Sequence, residues 1–244
     1  MTGPAHSRPA DAPAAAPAAR AGVDLLLLAA VLAVAATFVR ALWFTPLDAL
    51  QGPAQKIFYV HVPSAFTALY VAFPILAIAS AVYLWLRDDR FDRVAESAAE
   101  VGLVFMTVVL VSGPIWGKPI WGTWWTWDAR LTLTLFLWFV VLGYLVLRGA
   151  IEEPAMRARY SAVLGVLAVL LVPFIHLSVY LFRTLHPQPI VLKPEAPSMP
   201  GSMLLTFAMA MVAFIFLFAA LLRARHRLAT DRAALAASYP EGHR

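Results

Sequence analysis

The chain has 244 residues, 61% of them hydrophobic and 14% charged, with no cysteine and a formal net charge of +5. Soluble domains average about 45–50% apolar and about 25% charged residues, so this chain carries more apolar surface than one water-soluble core can hide and reads as a membrane protein. Lacking cysteine, it forms no disulfide, thiolate metal site, CxxC redox pair or CxxCH attachment site.

Residues 1–22 are an Ala/Pro tract that buries nothing and is expected to be disordered. Six apolar runs of the length needed to cross a bilayer follow within residues 23–222. The first is Asp24–Phe44, expected to be a retained anchor because it continues apolar beyond the reach of a signal-peptide core. The next three are Pro63–Leu86, Val101–Ile115, lengthened at its start by a charged turn over Ala95–Glu100, and Leu131–Leu147. The last two are Tyr160–Phe182 and Met203–Leu222, after which 223–244 form a basic tail. The fold class expected is an all-α membrane protein of six transmembrane helices, with no internal inverted repeat of the kind found in many transporters.

Basic residues set the orientation, because short loops rich in Lys and Arg stay in the cytoplasm. Arg8, Arg20, Arg87, Arg90, Arg93, Arg148, Arg157, Arg159, Arg223, Arg225, Arg227, Arg232 and Arg244 fall on one side. Arg40, Lys56, Lys118, Arg130, Arg183 and Lys193 fall on the other or at its border. Both termini are therefore expected in the cytoplasm. The positive balance reads as topology and contact with anionic lipid, not as nucleic-acid binding.

This topology leaves three outer segments, 45–62, 116–130 and 183–202, and the rarer chemistry collects in them. The second reads WGKPIWGTWWTWDAR and holds five of the eight tryptophans. One reading is an interfacial aromatic belt. The other follows from spacing: Trp121, Trp124, Trp125 and Asp128 share a face if the segment is a short interfacial helix between spans three and four. Trp116 and Trp127 would widen that face into a platform for a large planar ligand, with Gly117 and Gly122 letting it approach the backbone.

Of six histidines, His6 and His243 lie in the tails and His226 among arginines, where solvation is expected. His61 precedes Val62–Pro63 and is expected to cap the outer end of span two. His186 follows span five on the same side. His176 lies inside span five, and ten helical residues would hold it roughly 15 Å from His186, too far to share a metal. It is assigned to packing or to a hydrogen bond with a neighbouring helix, although an ionisable group inside a span is a functional candidate by default.

A flat apolar ligand with two imidazole positions is heme, held noncovalently as heme b by His61 and His186. Zinc wants three or four ligands and has no use for the tryptophans. Lys56, Arg130 and Arg183 are candidate partners for the propionates, with snorkelling to headgroups as their alternative role. Asp128 and Arg130 lack the neighbours of a general acid/base pair. They are candidates for orienting the platform or for contacting a partner protein.

The segment WGKPIWGTWWTWDARLT, with YVHVPSA and FIHLSVYLFRTLHP flanking it, resembles the tryptophan-rich WWD signature of the CcmC family, heme-handling membrane subunits of cytochrome c maturation. The resemblance covers spans two to five. It implies heme on the extracytoplasmic side with His61 and His186 as axial ligands, Trp116, Trp121, Trp124, Trp125, Trp127 and Asp128 holding the macrocycle, and location in a bacterial inner membrane. It implies as partners the ABC transporter subunits of the same system, a small single-span subunit and a periplasmic heme chaperone, and leaves open a part in covalent heme attachment to that chaperone. Where relatives often carry tryptophans before the TLH triplet, this chain has Tyr180-Leu181-Phe182-Arg183. A b-type cytochrome subunit is the alternative; it would place both ligands within spans and keep its heme permanently. A secondary transporter would need polar or broken-helix sites near mid-bilayer.

Overall fold

In the computed structural model the described residues are 24–188, 190–191, 193 and 196–238; the 1–22 tract, His6 and His243 lie outside them. The described chain is helical, and six helices or helix pairs are long and apolar enough to cross a membrane: Leu25–Phe44, Pro53–Leu86, Asp89–Trp121, Ala129–Ala150, Pro154–Leu181 and Gly201–Ser238.

Span one is α1 (Leu25–Val39), continued by a π-helical turn at Arg40–Phe44. Asp24 caps it, accepting from the backbone N–H groups of Leu26 and Leu27. Span two starts earlier than the sequence reading has it. A 3₁₀ turn at Pro53–Ile57 leads into α2 (Phe58–Phe66), a π-helical stretch covers Thr67–Ala72, and α3 (Phe73–Leu86) completes the span. His61 therefore sits within α2 and does not cap the helix. Pro63 is accommodated inside the helix, where its missing N–H takes one rung from the ladder, and the widened π turns follow directly.

Span three is a single helix of 33 residues, α4 (Asp89–Trp121), in place of the short core expected. At 1.5 Å per residue it is about 50 Å long, against roughly 30 Å of hydrocarbon, so both ends project from the apolar layer. Its first turns carry Asp92, Glu96 and Glu100 on one face, and each carboxylate has an arginine. Arg148 reaches Asp92 at 2.6 Å and Glu96 at 3.1 Å, and Arg225 pairs with Glu100. The charges that read as a turn in the sequence are thus a paired stripe on a helix.

Span four is α5 (Ala129–Ala150), and span five is α6 (Pro154–Val169) followed by α7 (Leu171–Leu181), broken at Leu170 just before Pro173. Span six is α8 (Gly201–Ser238), which runs without interruption through the Ala-, Leu- and Arg-rich residues beyond Leu222, all good helix formers. His226 on this extension is half-buried. It lines an apolar groove of about 390 Å³ with Val71, Ile75, Phe218 and Leu222.

The core is a layer of small and aromatic residues between α3, α4, α5 and α8, including Phe73, Leu76, Ala98, Ala99, Phe105, Leu137, Tyr144 and Phe218. Small side chains let helices approach closely where lipid gives no hydrophobic drive between them. At Gly165 a Cβ would lie 2.6 Å from Ser80 Oγ and 3.1 Å from Leu76 Cδ1, so α6 and α3 meet almost backbone to side chain. One end of the bundle gathers the arginines and the other the tryptophans and two histidines.

Candidate functional site

The last turns of α4 carry Ser112, Gly113, Trp116 and Gly117 on one face, and α2 brings His61 against them. The Ser112 hydroxyl donates to the Val108 carbonyl at 2.6 Å. Its hydrogen is thereby spent, and it meets His61 Nδ1 at 3.0 Å as an acceptor. His61 must donate from Nδ1, which leaves the lone pair of its Nε2 free. Gly113 makes the approach feasible: a Cβ there would lie 3.2 Å from His61 Cε1. Trp116 stands edge-on to the imidazole at 5.6 Å between ring centroids, its indole N–H donating to Gln51 Oε1 at 3.1 Å.

His186 arrives at the same level from the loop after α7. Its Nδ1 lies 3.0 Å from the Pro187 carbonyl oxygen, which only accepts, so Nδ1 again carries the proton and Nε2 is again free. Burial, with the charges of Arg130 and His61 behind it, pushes the His186 imidazole down to about 3, against the opposing pull of the Pro187 carbonyl and Asp128. The ring stays neutral, as a metal ligand must be. Trp121, the last residue of α4, lies 6.5 Å from it. The two histidines thus have one tautomer each of the same kind, one indole neighbour each, and electrostatic contact with one another.

The tryptophan segment does not form the short interfacial helix expected. Trp116 and Trp121 are on α4; Gly122, at φ +75°, ends the helix by returning its N–H to the Lys118 carbonyl at 3.0 Å. Asp128 begins the next helix by accepting from the Leu131 N–H at 3.0 Å. Five residues, mostly Thr and Trp with their preference for extended backbone, are all that remain between these caps, and they run as a non-helical strap. The spacing of Trp121, Trp124, Trp125 and Asp128 therefore puts them on no common helix face. Trp124 and Trp127 are 59% and 76% exposed, while Trp125 is half-buried with its ring 5.7 Å from that of Trp127. Gly117 and Gly122 have other duties than admitting a ligand. The space over Gly117 is filled by the Trp121 ring, 2.9 Å from a would-be Cβ, and Gly122 supplies the left-handed turn.

Asp128 ties the strap to the His186 loop. Besides Leu131 it accepts from Thr126 at 3.2 Å and from the Leu185 N–H at 3.4 Å. Burial works to raise its carboxyl, but the bonds from Leu131, Thr184, Thr126 and Leu185 prevail and hold it below the usual carboxylate range. Arg130, in the first turn of α5, is half-buried. Among the described residues no hydrogen bond or ion pair engages its guanidinium, although its charge reaches His61, His186, Tyr70 and Tyr180. Arg183 is exposed and lines a depression of about 240 Å³ with Thr126, Asp128, Thr184 and Leu185.

Lys56 is engaged by backbone carbonyls of the preceding loop. Its ammonium bonds to the Thr45 carbonyl and, at 3.1 Å, to that of Pro46, stapling the loop after span one; a lysine near a site in sequence had a nearer backbone acceptor in space. His176 accepts or donates a hydrogen bond with Tyr70 at 2.7 Å, the interhelical bond anticipated for it. Ser112 and Gly113 escape the sequence reading, and their signal is a Ser-Gly-Pro triplet inside an apolar run, one turn before Trp116.

A family profile described as CcmC, heme exporter protein C, matches residues 7–238. The heme exporter protein C of Haemophilus influenzae is 37% identical over 185 residues, covering 76% of this chain and 75% of that one. That of Bradyrhizobium diazoefficiens is 37% identical over 176 residues, 72% of this chain and 66% of its own. The Escherichia coli K12 protein of the same name is 34% identical over 164 residues, 67% and 66% of the two chains.

Proposed function

The chain belongs to the CcmC, heme exporter protein C, family, and from that premise we propose that it holds heme b at the tryptophan-rich end, between His61 and His186, and presents it to a periplasmic heme chaperone for cytochrome c maturation. The observation that carries the reading is the matched tautomer. Both Nδ1 atoms are occupied as donors, to Ser112 and to the Pro187 carbonyl, so both Nε2 lone pairs are available, and a hydrogen bond from the far ring nitrogen of this kind is what orients metal-binding imidazoles.

Heme is cargo in this reading, and the chain's own groups do three things to it. The imidazoles bind iron, Trp116 and Trp121 border the macrocycle, and the unpartnered Arg130 receives a propionate. Hand-over requires a partner to displace an axial bond, and the exposed Trp124 and Trp127 are the surface where the chaperone approaches. The tryptophan-rich end then faces the periplasm of a bacterial inner membrane and both termini the cytoplasm. The ABC transporter subunits and a small single-span subunit complete the assembly.

The test is the visible spectrum of the purified chain with heme. A six-coordinate low-spin spectrum is expected, lost in His61→Ala and His186→Ala and kept in His176→Ala. An unchanged spectrum in both of the first two variants overturns the axial assignment.

A further inference from the structure

Spans two and five are close at one level and apart at another. On the arginine-rich half α3 and α6 pack intimately, with Gly165 against Ser80 and Leu76. Toward the tryptophan-rich end they part: α2 and the π-helical stretch pack on α4 and α8, whereas α7 packs on α5 and α6. Across the gap the link is made by side chains, Tyr70 Oη to His176 Nδ1 at 2.7 Å, their rings 6.0 Å apart at 82°.

This bridge lies open to the membrane. His176 and Tyr180 are exposed and Tyr70 is 40% exposed. An ionisable side chain within a span ordinarily faces the bundle interior or a wet cavity, so its position at a lipid-facing gap asks for a ligand there. Both walls also carry an irregularity between their packed and their parted halves. Tyr70 is in the π-helical Thr67–Ala72, and the break at Leu170 with Pro173 lies below His176; such places are where helices bend. Nine residues separate Tyr70 from His61, about 13 Å along a helix, and the charge of Arg130 reaches both the tyrosines of the gap and the two imidazoles above it.

Resting on the heme-holding reading above, we infer that the gap between spans two and five is a lateral opening through which heme passes from the bilayer to the His61/His186 site, with the Tyr70–His176 hydrogen bond as its latch. A porphyrin is a flat amphiphile, and the opening offers aromatic walls from Tyr70 and Tyr180, with Arg130 ahead to draw the propionates upward. His176 then acts on passage and not on the final complex, so its loss spares the equilibrium spectrum.

The chain has no cysteine, so thiols introduced as Tyr70→Cys with His176→Cys are the sole targets of a short reversible bis-thiosulfonate bridge. The full chain, reconstituted in phosphatidylethanolamine/phosphatidylglycerol vesicles containing dissolved heme, is followed by growth of the low-spin band. Bridging is expected to slow loading by about tenfold or more, as closing a gate does, with the rate restored by reductant and the final spectrum unchanged. Tyr70→Phe, which removes only the hydroxyl, is expected to load about fivefold faster, the share of one hydrogen bond. Equal rates in bridged and reduced protein, or an unaltered rate in Tyr70→Phe, overturn the opening. Absence of the low-spin band even in the unaltered chain overturns instead the heme-holding reading on which it rests.

Discussion

At the arginine-rich end Arg148 holds Asp92 and Glu96, Arg223 holds Asp24 at 2.7 Å, and Arg225 holds Glu100. At the tryptophan-rich end Arg130 has no acidic partner in hydrogen-bond reach among the described residues, and both imidazoles keep a free Nε2. The first arrangement joins spans one, three, four and six by ion pairs between opposite charges. The second fixes each imidazole through its Nδ1 and leaves the Arg130 guanidinium without a hydrogen-bond partner among the described residues. Closed pairs hold helices together; half-satisfied groups on rigid supports are what a binding site requires.

The comparison breaks most severely at Arg148. Its side chain is 7% exposed and that of Asp92 12%, so removing the cation strands buried carboxylates, at a cost of about 3 kcal/mol or more. Arg148→Ala is expected to lower thermal stability in detergent by that order while the heme spectrum of the folded fraction is retained. A variant as stable as the unaltered chain would mean the ends are not built differently. At the opposite end Arg130→Gln has the reverse signature. No bond within the protein is lost, so stability holds, and heme affinity falls by about thirtyfold, the worth of a charge-assisted hydrogen bond of about 2 kcal/mol. Unchanged affinity on heme titration would remove Arg130 from the site.

The six spans are legible in the sequence because the bilayer imposes a length and an apolarity that no other solvent does. Their ends are less so. Glu96 and Glu100 read as a charged turn, not as a continuous helix, because the arginines that neutralise them, Arg148 and Arg225, come from elsewhere in the chain. His61 reads as a cap because a proline usually marks a helix start, whereas here neighbouring helices support a proline inside one. The tryptophan spacing fits a helix, but Gly122 and Asp128 are stop and start signals only five residues apart, and this local chemistry outweighs the periodicity. That His61 and His186 belong to the tryptophan-rich end follows from topology alone. The tautomers do not, since they depend on Ser112, a residue fifty-one positions from its partner.

Ser112 gives the finest test of the contrast, because it contributes nothing to the site but orientation. Ser112→Ala keeps the helix, the histidine and the indole, and removes only the acceptor that holds the His61 proton on Nδ1. Without it the ring is free to carry its proton on Nε2 or to turn, and losing the hydrogen bond that orients a ligating imidazole costs about tenfold in metal affinity. The expected result is a low-spin spectrum of normal shape, reached at about ten times the heme concentration, with thermal stability lowered by no more than about 1 kcal/mol. Ser112→Thr, which keeps the oxygen, should restore most of the affinity if its methyl group is accommodated beside Gly113. Gly113→Ala provides the steric counterpart: its Cβ, 3.2 Å from His61 Cε1, crowds the ring without touching its hydrogen bond. A loss of affinity in Ser112→Ala that Ser112→Thr repairs identifies orientation of the imidazole as the cause. Equal affinity in all three variants would leave the His61 tautomer without consequence, and the two ends of the bundle would then differ in charge pairing alone.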